Sequence, residues 1–237
     1  MLLLATVATS DKLNGGTMQK SFTLAEVLIT LGIVGIVAAM TLPSLVANYR
    51  NMVLENQFKK SYSILSQALI RTTQELGENL HQNYIQSEPI GFGGIVSETF
   101  YKYLHKTTKD TSIMNKLGED WVSYSGVKES SLLGLGANPA YSVLSDGSFV
   151  TVMKNNGRLN VLVDINGRKK PNRTGYDRFL FVVDTTQDKL VSWSNEKSYC
   201  DKNNMTSGYN GRGCTYFAMI NQNPDDETKQ YFKSLKW

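Results

Sequence analysis

The sequence predicts an α+β fold: a long N-terminal helix, apolar in its first half and amphipathic in its second, packed on an antiparallel β-sheet head. Three observations predict it. Val27 to Tyr49 carries no charge, a run of about 23 residues that is long enough to cross a hydrocarbon core as a helix. Beyond it, apolar residues recur at helical spacing as far as Leu76. From Tyr141 onward, short apolar–polar alternations are separated by Asp146-Gly147, Asn156-Gly157 and Asn166-Gly167, dipeptides that tolerate the positive φ of hairpin turns.

Residues 1–21 read as a leader. Met1 to Ala8 is apolar but too short to span a membrane, and Asp11 to Gly16 is polar and turn-rich. An ordinary secretory signal places its apolar region before the cut, whereas here the main apolar run lies further on. Met18 offers a second start, with Met18 to Ser21 as a short leader. Residues 22–49 form the membrane segment. Glu26 stands at its beginning, where a carboxylate is costly in hydrocarbon unless it is paired. A cut between Ser21 and Phe22 creates an α-amino group about one helical turn away, in reach of Glu26 of the same or a neighbouring copy. Lys12 and Lys20 precede the segment and Arg50, Lys59 and Lys60 follow it, so the charges alone do not orient it.

The run Lys20-Ser21-Phe22-Thr23-Leu24-Ala25-Glu26, with the apolar helix behind it, resembles the class III signal of type IV pilins and type II secretion pseudopilins. Pro43 sits where that family commonly has a helix-kinking proline, and Ser21 stands where glycine is usual. The resemblance implies a prepilin peptidase that cuts at Ser21–Phe22 on the cytoplasmic side and methylates Phe22. It implies subunits that wait in the inner membrane, head outside the cytoplasm, until inner-membrane machinery assembles them with copies of themselves or related pilins. Glu26 and Pro43 are then assembly residues, residues 22–49 are the filament-core helix, and the product is a periplasmic or cell-surface filament. The specific part of the likeness ends at Pro43.

Residues 50–77 form the amphipathic half of the helix, with Leu54, Phe58, Tyr62, Leu65, Leu69 and Leu76 on one stripe. Gln67, Arg71, Gln74 and Glu75 fall largely off it, and Gly77 is the stop. A helix from Thr23 to Leu76 measures about 80 Å at its ordinary rise. Residues 78–237 are the head. Its first part, to residue 140, has no clean period: Ser97 to Leu104 reads as a short helix, and Gly91-Phe92-Gly93-Gly94 and Gly134-Leu135-Gly136 read as loops. Neither glycine cluster has the lysine and hydroxyl of a phosphate loop. Tyr141–Leu144, Ser148–Met153, Leu159–Ile165, Phe179–Val183 and Leu190–Trp193 then read as a five-strand meander with one face on the helix. The chain ends in a loop, the segment Tyr216 to Ile220, and a short helix over Lys229 to Trp237.

Cys200 and Cys214 are the two cysteines; they form a disulfide if the head lies outside the cytoplasm, free thiols or a metal being the alternatives. Asp164, Asn166, Asn172 and Asp177 make one oxygen-rich constellation. It suits either calcium, which takes six to eight oxygens, or a plain turn in which Asn and Asp satisfy the backbone. Its spacing departs from an EF-hand loop, whereas major pseudopilins carry a calcium site in the head. His81 and His105 stand far from the cysteines and from any carboxylate cluster in sequence, and no catalytic triad is visible, so no enzyme is read. Asp225-Asp226-Glu227 reads as a solvated run. A net charge of +4 and scattered aromatics do not indicate nucleic acid. The expected role is a structural filament subunit; the alternative is a membrane-tethered adhesion or DNA-uptake receptor that does not polymerise.

Overall fold

The computed structural model describes residues 23–87, 90, 94–104, 106–110, 121–128 and 141–236. The leader, Ser21 and Phe22, His105 and most of both glycine clusters lie outside them. The chain separates into two compact units, one ending at Leu45 and the other running from Val46 to Trp237.

Helix α1, Leu24–Leu76, crosses that boundary as one element of 53 residues. In the first unit its apolar side chains face outward on every side: Leu28, Leu31 and Val34 are all exposed. Such a surface is stable in lipid or against other apolar helices and not in water. Pro43 lies inside the helix without ending it. Its ring removes one N–H from the ladder, and nearby hydroxyls bond back to the helix: Thr41 Oγ1 donates to Val37 O at 3.0 Å and Ser44 Oγ to Thr41 O at 2.9 Å.

In the second unit α1 buries Asn51, Leu54, Phe58, Ser61, Leu65, Ala68, Leu69 and Thr72. Steps of three and four keep these residues on one face. The helix stops at Gly77, whose φ of 92° suits glycine and whose N–H bonds Thr73 O at 2.8 Å. A π-helical turn at His81–Ile85 follows, its entry held by Asp188, which accepts N–H bonds from Asn79 at 2.7 Å and Leu80 at 3.0 Å. Helix α2, Ile95–Tyr103, is the short helix expected near Ser97.

The sheet has six strands in sequential antiparallel order: β1 Lys106–Asp110, β2 Tyr141–Leu144, β3 Phe149–Asn155, β4 Arg158–Asp164, β5 Arg178–Val183 and β6 Leu190–Ser192. The five expected strands are all present, and β1 is added at the edge. Its sequence Lys-Thr-Thr-Lys-Asp has no apolar alternation to announce it, and charge on an edge strand discourages pairing with other chains. Asn156 and Gly157 both have positive φ, 50° and 71°, and close β3 onto β4 as a two-residue turn in the register Asn155↔Arg158. Asn166-Gly167 does not close a tight hairpin: residues 165–177 form a long connection from β4 to β5. Gly167 serves a close approach instead, since a Cβ there would lie 2.2 Å from Gly147 O.

Alternation along the central strands builds two cores. Val150, Val152, Val161, Val163, Phe179, Phe181 and Val183 join Leu54, Phe58, Leu65 and Leu69 of α1. Phe58 meets Phe179 edge-on at 4.6 Å between ring centroids, with Phe232 at 5.4 Å and Phe181 at 6.0 Å. The opposite face is not left to solvent: Phe149, Met153, Leu162 and Leu180 gather with Trp121.

The C-terminal segment is tied to both layers. Helix α3, Cys214–Ile220, presents Thr215 Oγ1 to the Leu180 N–H at 3.0 Å. The tail ends in a 3₁₀ turn, Phe232–Ser234, shorter than the helix expected over Lys229 to Trp237. Asn51 of α1 donates to Leu235 O at 3.1 Å, and Tyr231 OH donates to Gly175 O at 2.6 Å.

Candidate functional sites

At the start of α1 the sequence Thr23-Leu24-Ala25-Glu26 folds as a capping box. Glu26 Oε2 accepts the Thr23 N–H at 2.8 Å and the Thr23 hydroxyl at 2.9 Å, and Thr23 Oγ1 accepts the Glu26 N–H at 3.2 Å. The spacing Thr-x-x-Glu carried this signal in the sequence, where the carboxylate was read only for a more distant partner. The cap occupies Oε2; among the described residues Oε1 takes no hydrogen bond. One residue therefore caps its own helix and leaves one carboxylate oxygen without a hydrogen bond among the described residues. Phe22, the amine expected to meet it, lies outside the described residues.

Cys200 and Cys214 are bonded, and both are buried. A crosslink closing a loop of this length is worth about 3 kcal/mol on the chain-entropy model. Asn210 fills the loop: its side chain accepts from Asp201 N at 3.1 Å and donates to Asp201 O and Asn204 O, each at 2.7 Å. Gly175 must be glycine here, because its φ is 80° and a Cβ would lie 2.6 Å from the Tyr124 ring and 2.9 Å from Cys214 Sγ.

The oxygen-rich constellation is brought together at the β4–β5 connection. Asp164 ends β4, Asn166 and Asn172 stand in the connection, and Asp177 precedes β5. Asp164 and Asp177 are almost wholly buried. Asp177 behaves as a backbone-satisfying turn residue: its two oxygens accept the N–H groups of Asn172 and Arg173, each at 2.7 Å. Asp164 Oδ1 accepts the Asn166 N–H at 3.3 Å. Asp164 Oδ2, Asn166 Oδ1 and Asn172 Oδ1 are buried oxygens with no hydrogen-bond partner. The sequence reading missed Arg178, which is buried opposite Asp164 in the strand register, its guanidinium 3.9 Å from the centroid of the Trp121 ring. Among the described residues no three His, Cys, Asp or Glu side chains converge as a metal set.

Burial, and then repulsion from Asp177, raises the Asp164 pKa well above the carboxylate range, with Arg178 opposing. Burial raises that of Asp177 to about 6, against the pull of the Arg173 and Asn172 amides. The folded state thus holds protons that the unfolded chain releases near 3.8. Stability from this pair is full at low pH and is lost as pH rises toward 6 and above. Asp164→Asn leaves one carboxylate facing one guanidinium. The unfolding temperature of the variant, relative to wild type, is expected to climb as pH is raised from 4 to 7. A difference that stays flat with pH overturns this account.

Residues 16–42 match the family model for the prokaryotic N-terminal methylation motif. The chain therefore carries the prepilin-type cleavage and methylation signal of type IV pilins and pseudopilins, and the matched residues run into α1, a helix long and apolar enough to cross a membrane. No curated protein and no solved structure matches it.

Proposed function

We propose that this chain, a pilin- or pseudopilin-like protein by its motif, is a structural subunit that is cut before Phe22, methylated there and polymerised through α1. The observation that carries the reading is Glu26, a carboxylate at the head of a lipid-suited helix with one oxygen spent on its own cap and the other open. Before assembly the open oxygen meets the amine of its own chain. In a filament it pairs with the methylated amine of a neighbour, and the cost of leaving either charge alone in an apolar core sets the register. Pro43 relieves the ladder within the same segment and lets the helix adjust as neighbours pack. Co-expression with a prepilin peptidase tests the reading. The N-terminal mass is expected to be that of a chain beginning at methyl-Phe22, and that species is expected in the sheared filament fraction. An intact Ser21–Phe22 bond overturns it. A processed chain that never enters filaments favours the tethered receptor instead.

The β4–β5 connection is a second, structural site, and the donors fit calcium in type. Asp164, Asn166 and Asn172 would turn their uncommitted oxygens to the ion, with Asp177 beside them. The ion would supply the positive charge that two buried carboxylates and one guanidinium lack. Millimolar calcium, against a chelator, is expected to raise the unfolding temperature of wild type and leave Asp164→Asn unmoved. No shift in wild type means that the constellation is a plain turn.

A further inference from the structure

Within the second unit a groove of about 650 Å³ lies between α1 and the β4–β5 connection. Tyr49, Arg50 and Val53 form one wall, and Lys169, Lys170 and Pro171 the other. Arg168, Lys169 and Lys170 are consecutive and exposed, and among the described residues none of the three is in an ion pair. Tyr49 closes the charge-free run and is itself 62% exposed. Tyr49 ends the charge-free run, so a bilayer that takes up that run brings Tyr49, and with it this wall of the groove, to the headgroup layer. Tyrosine is at home at that depth, with its ring among glycerol groups and its hydroxyl in water, and clustered cations there meet phosphate.

We propose that the groove binds the phosphate of an anionic phospholipid in the leaflet on the head's side of the membrane, Lys169 and Lys170 holding the charge and Tyr49 and Val53 lying along the glycerol end. The inference rests on the membrane reading above. It gives the subunit a lipid-held state before assembly, from which extraction into a filament must strip the lipid.

The test uses the full chain reconstituted with phosphatidylcholine, with or without phosphatidylglycerol, in the presence of a chelator so that calcium cannot bridge lipid and protein. Lipid retained after detergent extraction is read by native mass spectrometry. Wild type is expected to keep phosphatidylglycerol over phosphatidylcholine by about tenfold or more, a size that two interfacial cations can supply. Lys169→Ala/Lys170→Ala is expected to lose the preference, Lys169→Arg/Lys170→Arg to keep it, and Lys197→Ala/Lys229→Ala, placed elsewhere, to leave it intact. Equal retention of the two lipids by an inserted wild-type chain overturns the lipid assignment alone, as does a preference that survives in the double alanine variant. Displacement of phosphatidylglycerol by inorganic phosphate reassigns the groove to free phosphate and also overturns it. A chain that fails to insert in either bilayer overturns the membrane reading as well.

Discussion

Glu26→Gln is expected to be cleaved at Ser21–Phe22 like wild type and to be missing from sheared filaments. Glutamine still offers an oxygen to the Thr23 N–H and hydroxyl, bonds that measure 2.8 and 2.9 Å in the native cap, so the helix starts as before. What it removes is the charge. A methylated amine buried beside a neutral amide is an uncompensated ion, and deleting one partner of a buried pair is strongly destabilising. The variant is therefore expected to be strongly depleted in the assembled fraction relative to wild type. Thr23→Ala does the reverse: it weakens the cap by about 1 kcal/mol and keeps the charge, so it is expected in filaments. Quantifying mature subunit in sheared and membrane fractions, with the N-terminal mass of each, checks both variants. Wild-type amounts of Glu26→Gln in the sheared fraction would show that the carboxylate acts only as a cap.

Phe58→Ala is expected to cost the head roughly 3–5 kcal/mol, enough to unfold a marginal domain. The ring is the knob by which α1 holds the sheet: it is 3% exposed and touches Phe179, Phe181 and Phe232, from β5 and the tail. No neighbour can collapse into the space, because those rings are packed against one another and against valines on the same face. The denaturation midpoint of the processed chain in detergent, followed by tryptophan fluorescence, should fall with little change in slope. Phe58→Leu, which keeps much of the volume, should cost well under half as much. A loss of less than about 1 kcal/mol in the alanine variant would mean that the second half of α1 is not docked as described.

The parts of the fold that follow a strict period were legible in the sequence. Leu54, Phe58, Leu65 and Leu69 announced the buried stripe of α1 because each is apolar, whereas Asn51, Ser61 and Thr72 share that stripe and were invisible to a hydropathy reading. Hydrogen bonds accompany that burial, one distant in sequence and one local: Asn51 reaches Leu235 O, and Thr72 Oγ1 donates to Ala68 O at 2.8 Å. Asn156-Gly157 was readable as a turn because both residues need positive φ, while Asn166-Gly167 has the same chemistry and serves a packing contact with Gly147. β1 was hidden by its polarity. The core behind the sheet was hidden for another reason: Trp121 comes from a stretch without periodicity, and only the fold sets it against Met153 and Leu180. At the sites, the oxygen-rich residues were legible as a group, but Arg178 was not, because strand register alone places a cation opposite Asp164.

The order β1-β2-β3-β4-β5-β6 has a consequence for how the head comes into being. Each strand pairs with its neighbour in sequence; the β2–β3, β3–β4 and β5–β6 closures are short and cost little entropy, while β1–β2 and β4–β5 close over longer connections. A chain emerging N-terminus first can zip these strands one after another, without waiting for its end. The bond from Asn51 to Leu235 spans 184 residues and is available only once the last of them has been made. Docking of the tail on α1 is therefore the event that marks a finished head, and a truncated chain would advertise itself by an uncovered Phe58.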